Sequence, residues 1–141
     1  MKLHTPTQRR HAASFLAIAL LGATVFASCQ ETLEQRAERT MREYTQKNCP
    51  QQMGETIVMD SCRFETATHT MHYFYRFMGA MDNDSTLDAD YMRQLLKDAL
   101  RNETSTRTFK EAGYTFTYTY RSASQPDKVL FEATFPKEEY Q

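Results

Sequence analysis

The sequence is poor in glycine and lacks the short motifs that mark common catalytic sites. It has four glycines in 141 residues, which leaves little material for a loop that wraps around a phosphate group. The patterns G-x-S-x-G, S-x-x-K and H-E-x-x-H are absent, so the sequence carries no signature of a serine hydrolase or a zinc protease. We therefore predict that the protein is not an enzyme and holds no cofactor.

The sequence also lacks an excess of positive charge. Its 17 basic residues are balanced by 18 acidic ones, and three of the basic residues, Lys2, Arg9 and Arg10, precede position 29. Residues 30–141 therefore carry 14 basic and 18 acidic side chains, a net charge of −4. Proteins that bind nucleic acids or anionic lipids by charge present clusters of lysine and arginine. We predict that this chain binds no nucleic acid.

Only one long apolar run is present, from Ala12 to Ala27. It follows a basic start without acidic residues, and it ends in small residues before a polar stretch. This order is typical of a secretory leader, and the run is short for a helix that spans a bilayer. Because Arg9 and Arg10 are not followed by the apolar pair of a twin-arginine signal, we expect export by the general secretory route.

The end of this leader reads Phe26-Ala27-Ser28-Cys29, which resembles the lipobox of bacterial lipoproteins. It departs from that pattern at Phe26, where Leu, Val or Ile is usual. The resemblance implies that residues 1–28 are a signal peptide and that lipid on the Cys29 thiol attaches the protein to the membrane. It also implies an exported protein of the Gram-negative cell envelope, for which we expect outer-membrane attachment. The alternative is an ordinary leader, cut after Ala27 or Ser28, that leaves Cys29 as a free thiol.

The remaining chain, residues 29–141, has the length of a single small domain. A helix is predicted over residues 31–47, because apolar residues recur there every three or four positions, at Leu33, Ala37, Met41 and Tyr44. Pro50 disfavours helix at the residue before it and ends this element. Two strands are predicted at 56–64 and 70–78, where apolar side chains alternate.

The second half repeats the order helix, strand, strand. A helix is predicted to begin near Asp88, with Ser85 or Thr86 as its N-cap. Alternating side chains over 114–121 and 128–135 then predict a β-hairpin. The order α-β-β-α-β-β predicts an α+β domain, in which a four-stranded antiparallel sheet has two helices packed on one face.

Three segments of this domain resemble a group of small uncharacterised Gram-negative envelope proteins. They are "NCPQQM", "YFYRF" and "AGYTFTYTYRS", which begin at positions 48, 73 and 112. The resemblance implies an exported α+β domain, and it transfers no catalytic residues to this chain.

Cys49 and Cys62 are the two cysteines that follow the lipidation motif. An even pair in an oxidising compartment favours a disulfide. A disulfide that closes a loop of this length contributes about 3 kcal/mol to a small domain. The alternatives are two buried free thiols, which behave as small apolar side chains, and a redox-active pair, for which the spacing is not C-x-x-C.

His69 and His72 are the only histidines after the leader. Positions three apart on a strand point to opposite faces, so these two could share a metal ion only if His69 lay in a turn. The acidic segment 82–90 lacks the central glycine and the final glutamate of a calcium loop. We therefore predict no metal site.

All eight tyrosines of the sequence follow the leader, and over 114–121 aromatic residues alternate with threonine. The alternation predicts that tyrosines face the core and threonines face water. In the strand predicted at 70–78, the side opposite the tyrosines carries a mixed set, which we predict as the candidate binding surface: His72, Phe74, Arg76 and Met78. Exposed aromatic and arginine side chains are common in recognition surfaces.

These features predict a lipid-anchored cell-envelope protein whose small domain binds a protein or peptide without catalysis. The first alternative is an inhibitor of a secreted or periplasmic hydrolase that acts through the acidic loop 79–90. A less favoured alternative is a metal-binding protein or enzyme that uses His69 and His72.

Overall fold

The computed structural model describes residues 30–141, except for the side chain of Thr86. The predicted signal peptide, residues 1–28, and the predicted lipidation site Cys29 lie outside the described residues. Glu31–Gln141 form one compact unit with four α-helices and five β-strands. None of the described helices is long and apolar enough to cross a bilayer.

The elements follow one another in the order α1 (Leu33–Asn48), β1 (Gln51–Gln52), β2 (Ile57–Glu65), β3 (Thr70–Phe77), α2 (Ala89–Asn102), α3 (Arg107–Glu111), β4 (Thr115–Ser122), β5 (Val129–Phe135) and α4 (Lys137–Tyr140). Two short 3-10 turns, Gly79–Met81 and Asp84–Thr86, connect β3 to α2.

A capping box starts α1, the helix that the apolar spacing predicted. The Thr32 hydroxyl accepts a hydrogen bond from the backbone N–H of Gln35 at 3.2 Å, and the Gln35 side chain accepts one from the N–H of Thr32 at 2.9 Å. This exchange satisfies two of the N–H groups that lack partners at the start of a helix. The helix ends at Asn48, directly before the cis peptide bond between Cys49 and Pro50.

The five strands form one mixed sheet in the order β1-β2-β3-β4-β5. β3 and β4 are parallel, and the other neighbours are antiparallel. The prediction of a four-stranded, wholly antiparallel sheet was therefore wrong. Because α2 and α3 carry the chain back along the sheet, β4 begins at the same end as β3 and runs in the same direction. Alternation of side chains indicates the face that a residue occupies but not the direction of its strand.

The end of the sheet beside the start of α1 is called the near end, and the opposite end is called the far end. At the near end, where α1, β3 and β4 begin, Glu34 Oε1 lies 3.4 Å from Nε2 of His69 in the β2–β3 turn. The backbone N–H of Thr115 donates to the C=O of His69 at 3.0 Å at the same end. At the far end, the segment between β3 and α2 meets the β4–β5 turn, where Asp82 Oδ2 accepts from the N–H of Ser124 at 2.8 Å.

One face of the sheet carries the apolar core and all four helices. In register across β3, β4 and β5, its side chains are Met71, Tyr73, Tyr75 and Phe77, then Phe116, Tyr118 and Tyr120, then Phe131, Ala133 and Phe135. The helices complete this core with Ala37, Met41, Leu100, Phe109 and Tyr140. Burial of a large apolar side chain contributes about 1.5–3 kcal/mol. The tyrosines of β4 thus face the helices, as their alternation with threonine predicted. The prediction that the threonines face water was wrong for Thr117 and Thr119, which are buried on the opposite face beneath side chains of the neighbouring strands.

The structure contains no disulfide between Cys49 and Cys62, which are free thiols. Cys62 is buried in β2 beneath α1, where its thiol donates to the backbone C=O of Met41 at 3.4 Å. Burial raises the pKa of both thiols, so neither is activated as a thiolate. Cys49 is the C-cap of α1 and is half-buried, so the structure has the two unbonded thiols of the alternative prediction.

Candidate binding surfaces

The sheet face opposite the helices carries three of the four residues that the sequence predicted as a binding surface. His72, Phe74 and Arg76 alternate along β3 with the core tyrosines, so they share this face. Met78 directly follows β3 and is half-buried. The structure thus brings His72, Phe74 and Arg76 together on an open sheet face.

The side chains of this open face contact one another. The Arg63 guanidinium lies 5.1 Å from the centroid of the Phe74 ring. The His72 ring stacks on Phe74 with centroids 6.0 Å apart and planes 7° apart. Arg76 forms an ion pair with Asp60 at 3.3 Å. The charged groups of the open face therefore already have partners within the protein.

The two histidines face different carboxylates. His69 lies in the β2–β3 turn with a φ of 49° and pairs with Glu34, whereas His72 Nε2 is buried and lies 3.5 Å from Glu65 Oε2. In residues 30–141, no group of three or more His, Cys, Asp or Glu side chains is arranged to hold a metal ion. Nothing in this arrangement supports a shared metal site for the two histidines.

The acidic segment between β3 and α2 is fastened to the far end of the sheet. Asp82 accepts the hydrogen bond from Ser124, and Lys128 forms an ion pair with Asp84. Asp88 is the N-cap of α2, where its Oδ1 accepts from the N–H of Tyr91 at 3.0 Å. These carboxylates therefore serve local structure.

On the helix-covered face, four tyrosines lie side by side at the centre of the sheet. Tyr73 of β3 stacks on Tyr118 of β4 with ring centroids 5.1 Å apart, and Tyr75 stacks on Tyr120 at 4.7 Å. The parallel register of β3 and β4 places the members of each pair directly opposite each other. The four rings form a continuous aromatic floor.

The two long helices pack over the strands on either side of this floor. α1 packs on β2, and α2 packs on β5 and α4. Neighbouring strands are about 4.8 Å apart, so β2 and β5 are separated by about 14 Å, whereas the axes of packed helices are about 8–10 Å apart. Tyr73, Tyr75 and Tyr118 accordingly remain half-buried between the two helices, and the surface that these three rings form with Tyr120 is called the tyrosine cleft below.

The wall of the cleft formed by α2 is apolar. On the outer flank of α2, Arg93 donates to the backbone C=O of Thr134 on the edge strand β5 at 3.2 Å. The helical repeat places Met92, Leu95 and Leu96 on the other flank, which faces α1 across the cleft. Met92 and Leu96 are half-buried against the core, whereas Leu95 is 51% exposed.

The wall formed by α1 contributes a further aromatic ring. Met41 points to the sheet, and the helical repeat places Thr45 and Tyr44 on opposite flanks of it. Thr45 bonds to Cys62 on the outer side of β2, and the Tyr44 hydroxyl donates to Gln51 of β1 at 2.7 Å. Tyr44 and, on α2, Tyr91 are 38% and 65% exposed. Each of the two helices beside the floor therefore presents an exposed aromatic ring.

The hydroxyls of the floor lack partners within the described part of the chain. Tyr44 donates to Gln51 and Tyr140 to the backbone C=O of Tyr114, but no residue of 30–141 bonds to a floor hydroxyl. Three of the four floor tyrosines are half-buried, and Tyr120 is buried. Burial raises the pKa of all four phenols, that of Tyr120 to about 12. They are therefore neutral hydrogen-bond donors at physiological pH.

The sequence predicted the face of these tyrosines but not the cleft above them. Alternation placed them towards the helices, and a core position was the natural interpretation. The positions of α1 and α2 over the outer strands follow from the mixed topology, which the prediction did not contain. One signal was present, since the apolar stripe of α2 extends to Tyr91 and Leu95 and is wider than the contact with the sheet requires.

Two solved structures share this fold. A Pseudomonas aeruginosa protein inferred to be secreted has a TM-score of 0.63 at 13% identity, over 78% of this chain and 98% of that protein. The Type II secretion system pilotin AspS from Vibrio cholerae has a TM-score of 0.58 at 13% identity, over 80% of this chain and 96% of the pilotin. At this identity the likeness concerns the fold alone.

No curated protein matches the sequence. A family model matches residues 32–131, from the N-cap of α1 into β5. That match covers most of the chain and nearly all of the described domain. The chain therefore belongs to the family described as a domain of unknown function, DUF8479.

Proposed function

We propose that this protein is a lipid-anchored accessory protein of the cell envelope, which binds another protein through the tyrosine cleft and catalyses no reaction. The observation that carries the proposal is the set of four phenol hydroxyls without intramolecular partners on the floor of a cleft with apolar rims. Polar groups in an apolar concave surface are usually satisfied by what binds there.

The chemistry of the cleft suits an apolar segment of a protein. Tyr44, Tyr91 and Leu95 supply exposed apolar area on the two rims, and aromatic residues supply contact area at low cost in conformational entropy. The floor hydroxyls add donors for carbonyl or side-chain acceptors on the bound segment. Apolar walls with a few hydrogen-bond donors are typical of the central part of a protein interface.

The proposed location rests on the leader and the lipobox-like residues that precede the described domain. With a net charge of −4 after position 29, the domain has no electrostatic attraction to an anionic membrane. Attachment is therefore proposed to depend on lipid at Cys29. One acyl chain binds a bilayer only reversibly, so a stable anchor needs more than one chain.

The two similar structures support an envelope role by analogy of fold. One is a protein inferred to be secreted, and the other is the pilotin of a secretion system. Both descriptions agree with the export predicted from the leader. One fold can serve many functions. We therefore infer the kind of partner from the cleft of this chain and not from the roles of those two proteins.

The open sheet face is the second candidate surface, with His72, Phe74, Arg76 and Met78 as its proposed contacts. The stacking of Phe74 with Arg63 and His72 favours it. The tyrosine cleft is preferred because Arg63 and Arg76 of the open face already contact Phe74 and Asp60 within the protein. The alternative of a hydrolase inhibitor loses support, because two of the aspartates of its proposed loop, Asp82 and Asp84, are held at the far end.

Photocrosslinking in intact cells tests the choice between the two surfaces. A photoreactive phenylalanine replaces Tyr91 on the cleft rim in one strain and Phe74 on the open face in another. Both substitutions keep an aromatic ring, so they form a matched pair. We expect a crosslinked protein adduct from position 91 and none from position 74.

Other outcomes separate the candidates. An adduct from position 74 alone would assign binding to the open sheet face. If neither position gives an adduct while both proteins accumulate normally, the binding function is wrong. Fractionation of the wild type and Cys29→Ser tests the anchor independently, because only the wild type is expected in the membrane fraction.

A further inference from the structure

The large apolar side chains that remain exposed are concentrated towards the far end of the domain. They are Tyr44, Met53, Tyr91, Leu95 and Val129. α1 runs towards the far end and carries Tyr44 late in the helix, while α2 and β5 start at the far end. Tyr91 lies in the first turn of α2, Leu95 lies at the middle of α2, and Val129 is the first residue of β5. Met53 follows β1, and its N–H donates to the C=O of the residue that starts β2. The exposed apolar surface is therefore distant from the start of α1.

The near end has a different surface. The exposed residues of the β2–β3 turn are small or polar and include Thr66 and Ala67. The His69 ring stacks on Tyr114 with centroids 5.3 Å apart, and its Nε2 lies 3.4 Å from Glu34 of α1. The start of α1, the β2–β3 turn and the start of β4 thus form one packed corner.

The chain between Cys29 and this corner is short. α1 begins at Leu33, and an extended chain spans at most about 3.5 Å per residue, so the start of α1 lies within about 14 Å of Cys29. β4 has eight residues and is about 27 Å long. Because the tether is shorter than the sheet, lipid on Cys29 keeps the near end beside the bilayer.

We infer that the near end, centred on the β2–β3 turn, is a lipid-facing surface, and that the far end presents the exposed apolar residues to the aqueous compartment. This inference rests on the proposed lipidation of Cys29. In this orientation the far mouth of the tyrosine cleft, between Tyr44 and Tyr91, opens away from the membrane. A partner reaches the cleft from solution and does not need to enter the bilayer.

A single introduced tryptophan tests the orientation, because the sequence contains none. Ala67→Trp places an indole in the β2–β3 turn, and Gln125→Trp places one in the β4–β5 turn, both at exposed positions. Each lipidated full-length protein is reconstituted into vesicles of phosphatidylethanolamine and phosphatidylglycerol, in which some headgroups carry a nitroxide quencher. Flotation of the same samples measures attachment.

We expect Ala67→Trp to lose most of its fluorescence in nitroxide vesicles and Gln125→Trp to keep nearly all of it. Equal quenching at the two positions, or stronger quenching at 125, in proteins that float overturns the orientation and leaves the anchor intact. Failure of the proteins to float overturns the anchor itself. The fluorescence of Ala67→Trp combined with Cys29→Ser should not be quenched. Quenching of that protein would show that lipid on Cys29 is not what holds the near end beside the bilayer.

Discussion

The hydroxyl of Thr45 bonds to both backbone groups of Cys62, accepting from its N–H and donating to its C=O, each at 2.8 Å. β1 pairs with β2 only at Val58 and Met59, so at Cys62 the outer edge of β2 has no strand beside it. Thr45 supplies hydrogen-bond partners for the N–H and C=O of Cys62 at this edge. Without them, these backbone groups could pair with a strand of another chain. The same contact holds α1 over β2, at the side of the sheet.

Replacement of Thr45 by valine is expected to destabilise the fold. Thr45→Val keeps the branched shape but leaves the N–H and C=O of Cys62 without partners beneath α1. We expect the free energy of unfolding to fall by about 1–3 kcal/mol, as measured by urea unfolding of the protein with Cys29→Ser. Thr45→Ser keeps the hydroxyl and should lose much less.

Thr40→Val is the matched control, since Thr40 is an exposed threonine of the same helix. If Thr45→Val and Thr40→Val unfold at the same urea concentration, the two bonds to Cys62 do not stabilise the protein in the way described.

The sheet shows which structural features the sequence could predict. Tyr118 and Tyr120 alternate with threonine, and that alternation was sufficient to assign the two residue types to opposite faces. The start of α1 was similarly readable, because Thr32 and Gln35 form a local capping box. Each of these features depends on residues close together in the chain.

The features that were missed depend on distant residues. The parallel pairing of Tyr73 with Tyr118 requires the chain between them to cross the sheet, and no local pattern specifies that path. The open cleft depends on the contact of Thr45 with Cys62 and of Arg93 with Thr134, which are 17 and 41 positions apart. The candidate site therefore became visible only with the topology.

We expect protonation of Asp82 to lower the free energy of unfolding at acidic pH. Hydrogen bonds from Ser122 and then Ser124 lower the pKa of its carboxyl from the usual 3.8. A carboxyl with a lowered pKa in the folded protein stabilises the fold above its unfolded pKa, and this contribution is lost as the pH falls through the folded pKa. Asp82→Asn can still accept from the N–H of Ser124 but does not titrate.

The urea midpoint of the wild type should therefore fall more steeply than that of Asp82→Asn as the pH is lowered from about 5 to about 2. Asp127→Asn, an exposed substitution in the neighbouring turn, should follow the wild type. Parallel profiles for the wild type and Asp82→Asn would show that the carboxylate does not hold this segment through its charge.

We expect ionisation of the floor tyrosines to accompany unfolding of the protein at alkaline pH. Burial raises the pKa of each phenol, that of Tyr120 to about 12. A raised phenol pKa stabilises the fold below the ordinary value of about 10, and this contribution is lost as the pH rises through the folded pKa. The part of the tyrosinate absorbance that comes from the floor phenols should therefore appear together with the loss of far-ultraviolet circular dichroism above about pH 10. Ionisation of the floor phenols in a fully folded protein near that pH would contradict their burial.

Tyrosine-to-phenylalanine substitutions distinguish a hydroxyl that stabilises the fold from one that is proposed to bind the partner. Tyr140 donates to the backbone C=O of Tyr114 at 2.5 Å, so Tyr140→Phe leaves a buried acceptor unpaired and should cost about 1–3 kcal/mol of unfolding free energy. Tyr75 has no such partner, and Tyr75→Phe should leave stability unchanged.

The same two substitutions should have different effects on binding. A hydrogen bond contributes about 0.5–1.5 kcal/mol, and 1.4 kcal/mol is about tenfold in affinity, so Tyr75→Phe should weaken the adduct formed from position 91 by up to about tenfold. Urea unfolding and crosslinking yield, measured on the same proteins, check the two effects. If Tyr75→Phe destabilises the fold as much as Tyr140→Phe, its hydroxyl has an intramolecular partner. The floor of the cleft would then belong to the core and not to a binding site.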